Sequence, residues 1–204
     1  MPPHSVYVEP FLGSGAIWRR KRPALTSILI DSDPSSISAA SAGPGVLTIV
    51  GDALAELPKL LPLLPIDALI YADPPYLLQT RQNRRYYRQE LTDTNHAHLL
   101  AILTAARCYV MLSGYPSDLY SSALRTWRCV TYTTHPHGST RTECLWSNFP
   151  EPDKLHDWRY YGGGFRRRLA LRRRAQRWLD RLASLSPLDR GYLLHCIEQR
   201  YFSR

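Results

Sequence analysis

Residues 66–76 read IDALIYADPPY: a short apolar run, Ile66 to Ala72, that ends in the acid Asp73 and the rigid pair Pro74-Pro75 before Tyr76. The run has no polar alternation, as expected of a strand covered on both faces, and the prolines cannot continue it. Three earlier segments follow the same plan. Ser5 to Glu9 (SVYVE) ends in an acid, Thr26 to Ile30 is followed by Asp31-Ser32-Asp33-Pro34, and Val46 to Val50 is followed by Gly51-Asp52. Short helical stretches separate them, so the order β-α-β-α predicts an α/β fold built on a mostly parallel sheet. Glu9, Asp31, Asp52 and Asp73 recur at intervals of 22, 21 and 21 residues. In open α/β sheets ligands bind at the carboxyl edge, so four acids there predict one polar cleft. A single acid at such a place commonly caps the next helix; four together point to a site.

Downstream, Gln79 to Arg88 (QTRQNRRYYR) reads as an exposed basic and aromatic loop. Thr92-Asp93 predicts the cap of a helix through Ala106, and Cys108 to Leu112 a fifth strand. Arg128 to Thr134 and Glu143 to Phe149 flank a turn at His135-Pro136-His137-Gly138, which predicts an antiparallel hairpin at the sheet edge. Pro150 to Pro152 sets a boundary: residues 1–150 form the main domain and 151–204 an Arg-rich helical extension. In that extension Gly162-Gly163-Gly164 reads as a hinge. Phe165 to Ala183 and the helix opened by Ser186-Pro187 carry apolar stripes expected to pack on each other or on the main body.

The chain has 204 residues with 26 Lys+Arg against 17 Asp+Glu, a net charge of +9. Met1 to Pro150 holds 13 basic and 11 acidic residues, whereas Glu151 to Arg204 holds 13 and 6, so the excess sits in the extension. Twelve of those last 13 are arginine, a side chain suited to phosphate. A polyanionic partner is expected. Hydrophobic residues at 44% exclude a disordered chain. No apolar run reaches the roughly 18–20 residues that span a bilayer and no signal pattern opens the sequence, so a cytoplasmic protein without a membrane partner is expected. Cys108, Cys129, Cys144 and Cys196 lack C-x-x-C spacing and read as buried small hydrophobes. The pairs His96/His98 and His135/His137 have no ligand companions, so no metal site is expected.

Asp73-Pro74-Pro75-Tyr76 carries the chemistry. The prolines remove two N–H donors, leaving carbonyls and a carboxylate that suit an amino group, and Tyr76 offers a ring on which a planar base can stack. With Val8-Glu9-Pro10-Phe11-Leu12-Gly13-Ser14-Gly15, Asp31-Ser32-Asp33 and Gly51-Asp52 in this order, the sequence resembles the amino-group methyltransferases that use S-adenosyl-L-methionine. It looks most like the Dam-like (D12 class) DNA adenine N6-methyltransferases of compact phage type, found also in restriction-modification systems. Arg85-Tyr86-Tyr87-Arg88, Val110 to Tyr115 and Thr142 to Asn148 extend the likeness.

The resemblance implies a Rossmann-like methyltransferase fold. It implies that Glu9, Pro10, Phe11, Gly13 and Gly15 approach the methionine part of the cofactor, that Asp31 holds its ribose, and that Asp52 accepts from its adenine amino group. Asp73, Pro74 and Tyr76 would act on the target amine. Pro75, Arg81, Arg84, Arg85, Tyr86, Tyr87 and Arg88 would contact a DNA whose adenine is flipped out. Two departures stand out. Only Met1 to Ser5 precede the first motif strand, where members carry a glycine- and lysine-containing cofactor segment. Only 20 residues lie between Asp52 and Asp73, where larger members insert a recognition domain. RNA adenine as substrate, a non-catalytic nucleic-acid-binding relic of a mobile element, and a homodimer that completes the cofactor site remain open. A cytosine N4 enzyme fits less well, since those more often have Ser where Asp73 stands.

Overall fold

A computed structural model describes residues 1–40, 43–77, 91–134 and 140–202. They fall into two compact units, Met1–Asp157 and Trp158–Arg204. In the first, seven strands form one sheet: β1 (Val6–Glu9), β2 (Thr26–Asp31), β3 (Val46–Val50), β4 (Leu69–Ala72), β5 (Tyr109–Gly114), β6 (Arg128–Thr134) and β7 (Arg141–Ser147). Their order across the sheet is β3-β2-β1-β4-β5-β7-β6. The first five are parallel, and β7 runs antiparallel to both β5 and β6. This is the α/β fold on a mostly parallel sheet expected from the sequence, with the antiparallel hairpin at one edge.

The two faces follow from the period of two along each strand. Val8, Ile28, Ile30, Ile70, Ala72, Val110 and Leu112 point to one side. There they pack with Leu54 and Leu57 of α3 (Ala53–Leu60) and with Leu99 and Leu103 of α4 (Asp93–Thr104). Tyr7, Leu69 and Tyr71 point to the other side, near Trp18 of α1 (Ala16–Arg20), while Leu29 packs against Ile37 of α2 (Pro34–Ala39). The central strands β1, β4 and β5 are therefore largely apolar because neither face of the sheet meets water there. The edge strands differ: Leu47 and Val50 of β3 are more than half exposed, and β6 is exposed along nearly its whole length.

The cap expected at Thr92 forms, and Asp33 supplies another. Asp33 accepts from Ser35 N at 2.9 Å and starts α2, and Thr92 forms a capping box with Asn95 at the head of α4. Other details differ. The fourth strand begins at Leu69 rather than Ile66, because the Asp67 carboxylate leaves the strand direction to take Ser5 N at 3.2 Å and Ser5 Oγ at 3.0 Å. The helix α5 (Asp118–Ala123), capped by Ser117, lies between β5 and β6 and was not anticipated. Cys108 and Cys144 are buried as expected, but Cys129 and Cys196 are exposed, since one sits on the outer strand β6 and the other on a helix that buries no residue.

The second unit contains α6 (Phe165–Ala183) and α7 (Pro187–Tyr201). Neither helix buries a residue, and Trp178, Leu179, Leu188 and Tyr192 are all more than half exposed.

Candidate functional site

The four acids arrive at the same edge because four neighbouring parallel strands end there. Across the sheet they read Asp52 after β3, Asp31 at the end of β2, Glu9 at the end of β1 and Asp73 after β4. Strand order reverses between β1 and β4, the place where open sheets form their ligand crevice. An open cleft of about 540 Å³ lies there, and Pro10, Phe11, Gly13, Asp31, Asp52, Asp73 and Pro75 are among its lining residues. Glu9, Gly15, Pro74 and Tyr76 stand outside the described lining. Ser32, Asp33 and Leu91 line it as well and were not singled out from the sequence as contacts. Arg81, Arg84, Arg85, Tyr86, Tyr87 and Arg88 lie outside the described residues.

The turn after β1 is set by two glycines in the left-handed region, Gly13 at φ +50° and Gly15 at φ +66°. Leu12 N bonds Ile30 O at 3.0 Å, and Gly15 N bonds Leu12 O at 2.7 Å, which tie the turn to β2. The Asp31 carboxylate completes it: Oδ2 accepts Gly13 N at 2.7 Å and Oδ1 accepts Asp33 N at 2.8 Å. Each oxygen keeps a lone pair for a further donor. Around Gly13 no atom comes within 4 Å of the place a Cβ would take, so ligand atoms can approach the backbone there. Asp52 uses Oδ1 to cap α3 through Leu54 N at 3.0 Å.

Glu9 has a different role from its three companions. It is buried at 2% exposure and accepts the Tyr7 hydroxyl at 2.8 Å. Burial pushes its pKa up to about 7, against the Tyr7 hydrogen bond that lowers it. Lys21, also buried, has its Nζ 4.2 Å from the Tyr7 ring centre and 3.3 Å from His4 Nε2. Its pKa falls to about 8 through burial, with Glu9 opposing.

Asp73 is exposed at the cleft, while neighbouring groups crowd its carboxylate. Ser113 Oγ donates to its Oδ1 at 2.8 Å. Loss of hydration raises its pKa, while hydrogen bonds from Ser113 and Tyr76 work to lower it. The Tyr76 hydroxyl thus lies between two carboxylates, Asp73 and Glu143, whose Oε2 is 3.5 Å away. Glu143 is held in turn by Tyr132 OH at 3.1 Å and Thr134 Oγ1 at 2.8 Å, both reaching across the β6–β7 hairpin. The Tyr76 and Tyr115 rings meet edge to face with centres 4.5 Å apart, and Arg141 donates to Tyr115 OH at 2.9 Å. The sequence located Tyr76, but it gave no sign that Glu143 and Tyr115 gather around it. The hairpin register, which pairs Tyr132 with Glu143, brings that cluster together.

No protein-family model matches the chain, and no curated protein matches it. The fold is similar to solved methyltransferases. One, a SAM-dependent methyltransferase from Agrobacterium tumefaciens, is 13% identical with a TM-score of 0.48 over 72% of this chain. The match takes in 56% of that protein, so this chain corresponds to little more than half its length. N-methyltransferase NodS from Bradyrhizobium japonicum WM9 is 11% identical with a TM-score of 0.49, covering 72% of this chain and 87% of NodS. Magnesium protoporphyrin IX methyltransferase from Synechocystis, solved with bound SAM, is 12% identical with a TM-score of 0.46, covering 72% and 70%. Each is a likeness of chain path alone.

Proposed function

We propose that the protein transfers a methyl group from S-adenosyl-L-methionine to the exocyclic N6 of an adenine in DNA, with that base turned out of its stack. The observation that carries the reading is the delivery of Asp52, Asp31 and Asp73 to one cleft by neighbouring strands, with Asp73 fixed by Ser113 beside Pro74-Pro75. The residues fit the cofactor. Asp31, pre-set by two backbone N–H groups, can take ribose hydroxyls, Asp52 can take an adenine amino group, and the open turn at Gly13 admits the methionine part. When bound, the cofactor supplies a methyl group on a positively charged sulfur.

The chain's own task is to position and polarise the amine. Asp73 and the Pro74 carbonyl accept its two hydrogens, which draws the nitrogen lone pair out of the ring and aims it for in-line attack. The N–C bond would form as the methyl–sulfur bond breaks to leave a neutral thioether, and the nitrogen, made cationic, would then lose a proton. Asp73, whose pKa is raised by burial, is placed to hold that proton. The reading assigns Arg81, Arg84, Arg85 and Arg88 to DNA phosphates and Tyr86 and Tyr87 to the neighbourhood of the flipped base.

The test is methyl transfer from labelled cofactor to duplex DNA, single-stranded DNA and structured RNA, followed by digestion to nucleosides. N6-methyladenine in DNA is expected. Label in RNA, or on cytosine N4, would replace the substrate assigned. Asp73→Ala is expected to abolish transfer with little change in cofactor affinity by calorimetry. Undetectable cofactor binding by the unaltered protein would overturn the reading.

A further inference from the structure

The arginines of α6 are not spread evenly around the helix. At about 100° per residue, Arg166, Arg167, Arg173, Arg174, Arg177 and Arg181 fall within a sector of roughly 120°. Ala170 is the one other residue in it. All six arginines are exposed, and none has a carboxylate partner among the described residues. The one acid of the helix, Asp180, sits at the margin of the sector and accepts from Gln176 at 2.8 Å. Trp178 borders the other margin, with the Arg181 guanidinium 5.3 Å from its ring centre.

The remaining two arginines are used differently. Arg168 donates to Gly162 O at 3.2 Å and Arg172 to Arg159 O at 3.4 Å, both toward the segment that precedes the helix. A Cβ on Gly162 would stand 3.1 Å from Leu171 Cδ1, so that segment also lies close against the apolar side. A helix resting on a lipid surface needs an open apolar face, and here that face is crossed by two guanidinium groups and partly covered. Six unpaired charges on one side of a rod call instead for a row of anions.

We propose that this arginine face docks α6 against the phosphate backbone of duplex DNA. The inference deepens the proposed function by naming where the partner is held. At about 1.5 Å per residue the six arginines span about 22 Å of helix. An α-helix enters the major groove of B-form DNA, about 12 Å wide, and long arginines on it reach the phosphate rows at both lips. The deep, narrow major groove of duplex RNA does not admit a helix in this way. Six neutralised phosphates give a slope of log K against log salt of about −5, a contribution that does not depend on sequence.

The experiment measures binding of the full chain to a fluorescent 20-base-pair DNA duplex between 50 and 300 mM salt, with no cofactor present. Arg173→Gln/Arg177→Gln removes two charges from the face and keeps good helix formers. Arg107→Gln/Arg125→Gln removes the same charge from exposed positions of the first unit. The face pair is expected to lower the slope by about two units and the control pair to leave it unchanged. Arg173→Lys/Arg177→Lys should keep the slope, which separates lost charge from a disturbed helix. An unchanged slope for the face pair, an equal fall in both pairs, tighter binding to an RNA hairpin, or binding to phosphatidylserine vesicles without DNA binding would each overturn the proposal. Calorimetry with S-adenosyl-L-methionine on the same variants keeps the outcomes distinct, since loss of the arginine face leaves cofactor binding intact.

Discussion

The Ser113 hydroxyl donates to Oδ1 of Asp73 at 2.8 Å, linking the end of β5 to the residue that follows its parallel neighbour β4. Ser113 is 1% exposed, so no water replaces it easily. Ser113→Ala should leave cofactor affinity unchanged and lower methyl transfer by about 10- to 100-fold, the worth of one hydrogen bond to a charged group of about 1.5–3 kcal/mol. Because this bond lowers the Asp73 pKa, its loss raises it. In the proposed function the carboxylate form acts, so the acid limb of the pH–rate profile should move to higher pH. A limb that stays in place would show that Asp73 does not titrate in the step measured.

Asp31 makes a different kind of prediction, because both of its oxygens are already engaged by backbone N–H groups. Asp31→Asn puts an amino group where one of those donors must be met. Cofactor affinity measured by calorimetry should fall by about 10- to 100-fold, since the turn holding Gly13 loses its anchor along with the ribose acceptor. Affinity equal to that of the unaltered protein would remove Asp31 from the cofactor site.

Tyr76 can be divided into ring and hydroxyl. Tyr76→Phe keeps the surface that meets Tyr115 and removes the group lying between Asp73 and Glu143. It should cost less than about tenfold in kcat/KM, the scale of one modest hydrogen bond. Tyr76→Ala removes the stacking platform, worth about 1–3 kcal/mol per base, and should raise KM for DNA by about 10- to 100-fold. Equal effects from both variants would assign Tyr76 to positioning Asp73 rather than to stacking.

Glu9 and Lys21 contribute to stability in opposite senses on the two sides of neutral pH. Glu9 titrates at about 7 in the folded chain against an ordinary 4.5, so between those values the unfolded chain has lost a proton that the native one keeps. The Glu9 contribution to stability therefore falls as pH rises through that window. Lys21, lowered from 10.5 to about 8, acts in the opposite sense above pH 8, where the unfolded chain holds the extra proton. His4, lowered to about 4 by burial, opposes Glu9 below pH 6.5, so the Glu9 contribution is read as a difference between two proteins. Glu9→Gln keeps an acceptor for Tyr7, and its melting temperature relative to the unaltered protein should climb from pH 5 to pH 7, with a gain of up to about 3 kcal/mol at pH 8.

The sequence carried the sheet well because its parallel strands are buried on both faces, so strand, acid and helix cap alternate without ambiguity from Val6 to Asp73. It carried less of what depends on parity. Glu9 stands two residues from Tyr7, hence on the same face of β1, and is drawn beneath the cleft toward that hydroxyl. A one-residue difference in where a strand ends decides whether its last acid meets ligand or core. Glu143 and Tyr115 were beyond local reading because they join Tyr76 only through hairpin register and sheet pairing. Apolar spacing marks stripes on α6 and α7, but spacing along one helix contains no record of what covers it.

Along the carboxyl edge of the sheet the acids stand in the order 52, 31, 9, 73, whereas the chain meets them as 9, 31, 52, 73. Each is delivered by its own strand end, roughly 4.8 Å from the next strand, and each returns to the sheet through a separate helix or loop. The two ends of a bound ligand are consequently served by independent junctions. A change at the β3–α3 junction retunes the far end of the cleft without disturbing Asp73, so affinity for one half of a ligand and chemistry on the other can be altered one junction at a time.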